Sequence, residues 1–223
     1  MKNRSLFALS FSAGLLALTL TGCSSFSNNS KGPDATKPVG GKAINLIQFR
    51  DDVKATHFAL DRTIEALGRI PGATSPTDAY ASFSNEFAAF KKISDKTLIE
   101  SGNIRNRGND LFAQWQLEAQ SINNADIRVV AEKRHADLKA AYNAMLQPLV
   151  TARGDLNTVT SDLTDIQKAL ALDLTPAGIS AIKKPIAKVK DTAATSGKSL
   201  DALAADLDKI VAQLPASTVA PVK

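Results

Sequence analysis

Hydrophobic residues recur at alternating intervals of three and four positions through most of residues 43–214. On an α-helix this spacing forms one apolar seam, and it is typical of long helices packed with a left-handed twist. A β-sandwich or barrel needs short strands of period two, separated by turns about every 8–12 residues. The sequence therefore predicts an all-α fold.

Turn residues divide the periodic region into four predicted helices, A to D. Helix A is expected over residues 43–70, before the breaking pair Pro71-Gly72. Three caps are predicted from side chains able to accept backbone hydrogen bonds: Thr77 for helix B, Asp126 for helix C, and Thr175, followed by Pro176, for helix D. The seam of helix B is expected to keep one frame, through Gly108, Leu111, Trp115, Glu118 and Ile122.

Two prolines and two glycines lie inside these helices. Pro148 in helix C and Pro185 in helix D each remove a backbone hydrogen bond, which costs about 3 kcal/mol or kinks the helix. Gly102 and Gly108 weaken helix B by roughly 1 kcal/mol each. Because the seams keep their phase past all four residues, we expect bent helices. The alternative is a larger number of shorter helices with the same partners.

Short connections between sequential helices predict antiparallel neighbours. Helices B and C, of about 45 residues each, reach roughly 65–70 Å and are longer than A and D. The expected architecture is an elongated antiparallel bundle, or coiled coil, of about four long helices. It is expected to thin to three at the B–C tip, near the 122–127 turn.

The first 23 residues have the pattern of an exported lipoprotein. Lys2 and Arg4 precede an apolar stretch over residues 6–20, which is shorter than the roughly 20 residues of a membrane span. The stretch ends in Leu20-Thr21-Gly22-Cys23, which resembles the lipobox of bacterial lipoproteins. That resemblance implies cleavage before Cys23, a diacylglycerol on its thiol and acylation of its amino group. An ordinary secretory signal or an uncleaved anchor are the alternatives.

These features predict a domain order and a location. Residues 1–22 are read as the signal peptide, 23–42 as lipidated Cys23 and a flexible tether, 43–214 as the bundle and 215–223 as a disordered tail. A tether of this length has an r.m.s. span of roughly 20–25 Å. Ser24 favours transfer to the outer membrane, on the inner leaflet facing the periplasm.

The distribution of charge along the chain does not indicate that the protein binds nucleic acid. The whole chain has a formal net charge of +5, but residues 43–215 carry 21 basic and 21 acidic side chains. The basic excess therefore lies in the ends of the chain, and the predicted bundle is neutral.

The sequence predicts no catalytic residue, metal site or cofactor. One Cys and two His cannot build the usual zinc site. Gly197-Lys198-Ser199 resembles the end of a phosphate loop, but Thr192 stands where the first glycine is needed. Ser180 and Lys183 match Ser-x-x-Lys without its companion motifs.

Several seam positions are polar or small. They are Thr56, Thr63, Ser94, Thr97, Ser101, Gly108, Glu118, His135 and Ser196. Tight packing and register specification explain such residues, and a polar lumen for a small ligand is the alternative. Glu118 and His135 are expected at similar distances from the B–C turn, where they form a possible polar interior layer, explained by an ion pair.

A family resemblance rests on spaced motifs. These are Leu111-Phe112, Trp115, Glu118, the Asn-Asn-Ala turn, Tyr142 placed 27 residues after Trp115, and Leu174, with Ile64-Glu65-Ala66-Leu67, Tyr80, Phe83 and Glu86-Phe87 upstream. Together they resemble a proteobacterial family of helical lipoproteins and secreted proteins classed as a domain of unknown function. That family usually has Lys-His-Asn where this chain has Ala171-Leu172-Asp173. The resemblance implies a helical envelope protein and supplies no activity.

The functional expectation is a lipid-anchored envelope bundle with a structural or protein-interaction role. Its predicted partners are the membrane, through the acyl chains on Cys23, and an envelope protein or a second copy. A carrier of a small ligand or lipid, using the bundle interior, is the alternative. An exposed apolar stripe at the B–C tip favours the first, and polar seam residues around a cavity favour the second.

Overall fold

The structure, a computed structural model, describes residues 45–213. The helices are α1 (Leu46–Arg69), α2 (Pro76–Gln120), α3 (Ala125–Leu172), α4 (Pro176–Ala181) and α5 (Lys183–Val211), with a 3₁₀ turn at Ile70–Gly72. No strand is present in this range, so the predicted all-α class of long, mutually packed helices is confirmed. The helices within 45–213 include none long and apolar enough to cross a membrane.

Side chains cap the first four α-helices, and two of these caps differ from the prediction. Ser75 caps α2 by accepting from the Asp78 amide at 3.4 Å, so the prediction of Thr77 was wrong. Pro76 explains this start, because its fixed φ and missing N–H suit the first helical position. Asn124, not Asp126, caps α3, since its Oδ1 accepts the amides of Asp126 and Ile127 at 3.0 and 3.1 Å.

The predicted continuity holds for two helices and fails for one. Helix α2 is unbroken through Gly102 and Gly108, and α3 continues through Pro148. Predicted helix D, in contrast, is divided at Ile182 into α4 and α5. Pro185 gives the reason, because its ring would clash with the carbonyl of Ala181 and its nitrogen could not bond to it. The break places Pro185 in the first turn of α5, where no such bond is required.

Side-chain contacts show how the long helices pair. Four pairs pack together: α1 with α2, α2 with α3, α3 with α5, and α5 with α1. The α1–α2 contacts include Thr56–Thr97 and Arg62–Glu86, and the α2–α3 contacts include Phe112–His135 and Tyr80–Gln167. The α3–α5 contacts include Asp155–Ser199 and Asp162–Thr192, and the α1–α5 contacts include Lys54–Asp208 and His57–Asp201. In each pair the residue numbers rise on one helix as they fall on the other, so these helices run antiparallel.

The apolar seams form a continuous core, with one change of register. The seam of α2 runs through Ser101, Ile104, Gly108, Phe112 and Ala119, all buried, whereas Leu111 is exposed. The expected frame through Leu111 and Glu118 was therefore wrong by one residue. From Ser101 to Phe112 the spacing is three, four and four, an eleven-residue step that unwinds the left-handed twist locally.

Candidate functional site

Helices α1 and α5 end before the α2–α3 hairpin does. Leu46 at the start of α1 and Ile210 near the end of α5 line the same narrow crevice as Phe112 and Trp115 of α2. The hairpin continues past this level through residues 116–134, which we call the hairpin tip, and at its base Arg134 donates to the Gln213 carbonyl at 2.9 Å. Two helices are described there, where the sequence predicted three.

Four large apolar side chains of the hairpin tip are exposed. Leu117 is 69% exposed on α2, and Ile127, Val129 and Val130 are 57%, 63% and 68% exposed on α3. Exposed apolar residues elsewhere in 45–213 are spread along the helices, as is normal for a surface. We call these four residues the apolar tip residues, because their concentration in one short segment indicates a contact surface.

The apolar tip residues do not share one face. Leu117 lies two positions from Trp115, whose ring contacts His135 of α3, so it projects from the opposite side of α2. Val129 and Val130 are consecutive and therefore point about 100° apart. The exposed apolar side chains thus surround the hairpin tip.

The charges of the hairpin tip balance. Acidic residues Glu118, Asp126 and Glu132 are matched by basic residues Arg128, Lys133 and Arg134. A neutral surface with apolar side chains gives no electrostatic preference for an anionic or cationic partner. A contact on such a surface would gain its free energy mainly from burial of apolar area.

Beneath the tip, four rings join α2 to α3. The Phe112 ring centroid lies 6.2 Å from that of Trp115, 5.8 Å from that of His135 and 5.2 Å from that of Tyr142. The Trp115 and His135 rings meet edge to face at 5.7 Å. Tilted and edge-to-face contacts are the favoured geometries of ring pairs. This ring cluster fixes the base of the hairpin tip.

Two hydrogen bonds fasten the ring cluster to the backbone of α2. His135 Nε2 lies 2.9 Å from the Phe112 carbonyl oxygen, and because a carbonyl only accepts, Nε2 carries the proton. The Tyr142 hydroxyl donates to the Ile104 carbonyl at 2.8 Å. Burial raises the pKa of Tyr142 above its ordinary value of 10.0. The hydroxyl occupies the space where a side chain on Gly108 would lie.

A comparison with known families covers this region. The model of the family described as "Protein of unknown function (DUF2959)" matches residues 51–214. The chain belongs to this family. The expected membership of an uncharacterised domain-of-unknown-function family is therefore confirmed, and the match includes the ring cluster and the whole hairpin tip. No curated protein and no solved structure matches the chain.

In this DUF2959 domain, Glu118 and His135 have different partners. His135 is buried in the ring cluster. Glu118 is half-buried and accepts a hydrogen bond from Gln114 Nε2 at 2.9 Å. Among residues 45–213, no hydrogen bond or ion pair joins Glu118 to His135. Cys23, the predicted lipidation site, lies outside the described residues.

Several residues of the polar seam make direct contacts, whereas the buried hydroxyls of Ser94 and Ser196 have no hydrogen-bond partner within residues 45–213. Thr56 Oγ1 donates to the Asp52 carbonyl at 2.7 Å and lies 2.9 Å from Thr97 Oγ1, which therefore donates to Thr56. Arg153 of α3 binds the Ser101 hydroxyl and the Leu98 carbonyl. These contacts fill the space between the helices with protein atoms.

The phosphate-loop-like run has a packing role. A Cβ on Gly197 would lie 2.7 Å from Nε2 of His57, so the missing side chain leaves room for the His57 ring of α1 against α5. The His57 Nδ1 lies 2.7 Å from Asp201. The side chain of Lys198 lines an open groove of about 340 Å³ between α3 and α5. Within residues 45–213, no cluster of three or more His, Cys, Asp or Glu side chains is placed to hold a metal ion.

Sequence reasoning missed the apolar tip residues as a set. A signal was present, because Ile127, Val129, Val130 and Ala131 fall within five consecutive residues. At 100° per residue such a run covers the whole circumference of a helix. Part of it must face away from any single helical neighbour.

Proposed function

We propose that this DUF2959 protein is a lipid-anchored component of the cell envelope with a structural or interaction role and no catalysis. Cys23 carries the acyl chains, and the protein resides on the inner leaflet of the outer membrane, facing the periplasm. The bundle holds the hairpin tip in position for a contact with another component of the envelope.

The proposed contact role rests on the exposure of Leu117, Ile127, Val129 and Val130. They lie on a segment beyond the region where α1, α2, α3 and α5 pack together. The two-helix tip has lost the neighbours that cover such side chains lower down. Exposing apolar area costs free energy of about 25 cal/mol per Å², so a surface of this kind favours a partner that covers it.

The bundle supports this role by rigidity. We propose that α1, α2, α3 and α5 form one antiparallel four-helix scaffold, since each packs against two of the others. The ring cluster then transmits that rigidity to the base of the tip. A contact surface on a rigid element loses less conformational entropy on binding than one on a loop.

We favour this role over a carrier, the alternative from the sequence. A carrier needs an interior cavity lined by the polar seam. The Thr56 and Thr97 hydroxyls meet at 2.9 Å, and the crevice beneath the tip has a volume of about 30 Å³, which is room for about one water molecule.

The test places a photo-crosslinking residue at Val130 of the full chain in cells and compares it with the same residue at Leu172. Leu172 is the matched control, because it is 89% exposed on the same helix but lies at the other end. We expect crosslinked products from position 130 only, in the membrane fraction, and their loss with Cys23→Ala. Equal crosslinking at both positions, or an intact mass of the wild-type protein that shows a free Cys23 thiol, contradicts the proposal.

A further inference from the structure

The chain enters the bundle at the same end as the hairpin tip. Helix α1 begins at Leu46, which touches the crevice formed by Phe112 and Trp115. The direction of α1 places its other end, at Arg69, beside the start of α2. Any anchor that precedes α1 in the sequence is therefore tied to the tip end of the bundle.

The hairpin tip and the segment that precedes α1 are of lengths that allow the tip and Cys23 to reach the same bilayer surface. From Phe112, level with Leu46, to the end of α2 at Gln120, the helix rises about 12 Å. The 21 residues between Cys23 and Asn45 span up to about 70 Å when extended. The hairpin tip can therefore reach the bilayer that holds Cys23. Because the chain is attached there, the effective concentration of the tip at that surface is high.

The directions in which the apolar tip residues project distinguish a bilayer from a protein partner with one flat face. A folded protein partner with one flat face covers one side of a two-helix tip and leaves the other exposed. Leu117 projects away from α3, while Val129 and Val130 point about 100° apart. A bilayer interface surrounds an inserted tip and covers all these side chains together.

We propose that the partner of the hairpin tip is the phospholipid bilayer, into whose interfacial region Leu117, Ile127, Val129 and Val130 insert. The balanced charge of the tip makes this contact apolar in origin and independent of anionic lipid. The proposal rests on the proposed lipid anchor, which supplies the attachment. The result is a bundle held at two points, by its acyl chains and by its tip.

The experiment measures the depth of single positions in the acylated protein. Cys23 is the one cysteine of the chain, and acylation occupies its thiol, so an introduced cysteine is the only site for a fluorophore. Leu117→Cys and Val130→Cys report on opposite sides of the tip, and Leu172→Cys is the control at the other end. Each labelled protein is reconstituted into phosphatidylcholine vesicles with and without nitroxide-labelled phosphatidylcholine.

We expect the labels at 117 and 130 to lose most of their fluorescence to the nitroxide lipid and the label at 172 to lose little. Quenching at both tip positions should persist in high salt, because charge does not drive the contact. Val129→Asp with Val130→Asp should abolish quenching at 117, while circular dichroism checks that the helices are retained.

Two results overturn the proposal. Quenching at 117 and 130 no greater than at 172 shows that the tip stays in water. A blue-shifted emission at 130 without nitroxide quenching shows that protein, such as a second copy, covers the tip. Intact mass separates these outcomes from failure of the anchor, because a free Cys23 thiol refutes acylation whatever the labels report.

Discussion

Gly108→Ala tests the close approach of α2 and α3 at the ring cluster. The new Cβ would overlap the Tyr142 hydroxyl and ring carbon, and Tyr142 is 2% exposed, so the ring has no solvent space to move into. Overpacking of a core costs about 1–3 kcal/mol. Loss of the bond to the Ile104 carbonyl adds about 1–3 kcal/mol for a buried unpaired hydroxyl.

Helix propensity acts in the opposite direction. Alanine is favoured over glycine inside a helix by about 1 kcal/mol. The expected net loss is therefore about 1–5 kcal/mol in the free energy of unfolding. A loss of about 3 kcal/mol lowers the urea midpoint by about 1 M or more, measured by far-ultraviolet circular dichroism on the chain beginning at Ser24.

Gly154→Ala is the matched control. Gly154 lies inside α3, and a Cβ there meets no atom within 4 Å. This variant should gain up to about 1 kcal/mol from propensity alone. In a Tyr142→Leu background, which removes the phenol, the cost of Gly108→Ala should shrink or change sign. A Gly108→Ala protein as stable as the Gly154→Ala protein refutes the packing argument.

Three further outcomes follow from the same contacts. Gly197→Ala should change the unfolding free energy by less than about 1 kcal/mol, because the His57 ring is partly exposed and can rotate away from the new methyl group. A loss of stability as large as that of Gly108→Ala contradicts this prediction. Burial raises the pKa of Tyr142, so its contribution to stability is full below pH 10.0, falls by about 1.4 kcal/mol per pH unit between pH 10.0 and the folded pKa, and is lost above it. Urea unfolding at alkaline pH should show a steeper loss of stability in wild type than in Tyr142→Phe. The pKa of Asp208 is lowered by its hydrogen bond from Lys54, so this pair stabilises the folded state above pH 3.8 and ceases to do so as pH falls through the folded pKa. NMR of the carboxyl groups should show a higher pKa for Asp208 in Lys54→Met than in wild type.

Much of the fold was readable from local patterns. The seam residues of α1, such as Phe49 and Leu60, are buried as the three-four spacing indicated, because a helix's own geometry decides which side chains share a face. The cap at Thr175 was also found from sequence, where Pro176 follows it. Thr77 and Asp126 were chosen wrongly, since a neighbouring side chain in each turn competes for the same backbone amides.

The candidate site depended on distances that no local pattern contains. Leu111 and Phe112 are adjacent apolar residues, and it is Phe112 that is buried, against His135 and Tyr142 of α3. The exposure of Val129 and Val130 depends on where α1 and α5 end relative to the hairpin. The cap at Asn45 fixes where α1 begins in the sequence, but only the packing of the helices places that start beside Phe112.

The sequence by itself therefore determined the helical class, the neutral charge of the bundle and most of the buried seam, because periodicity, charge and caps act within a few residues. The break before Pro185 has a local cause in the proline ring, whereas the tertiary structure alone decided the register change in α2 and the exposed hairpin tip. The register change and the exposed tip depend on which helices lie side by side and where they stop, and contacts between residues far apart in the chain set both.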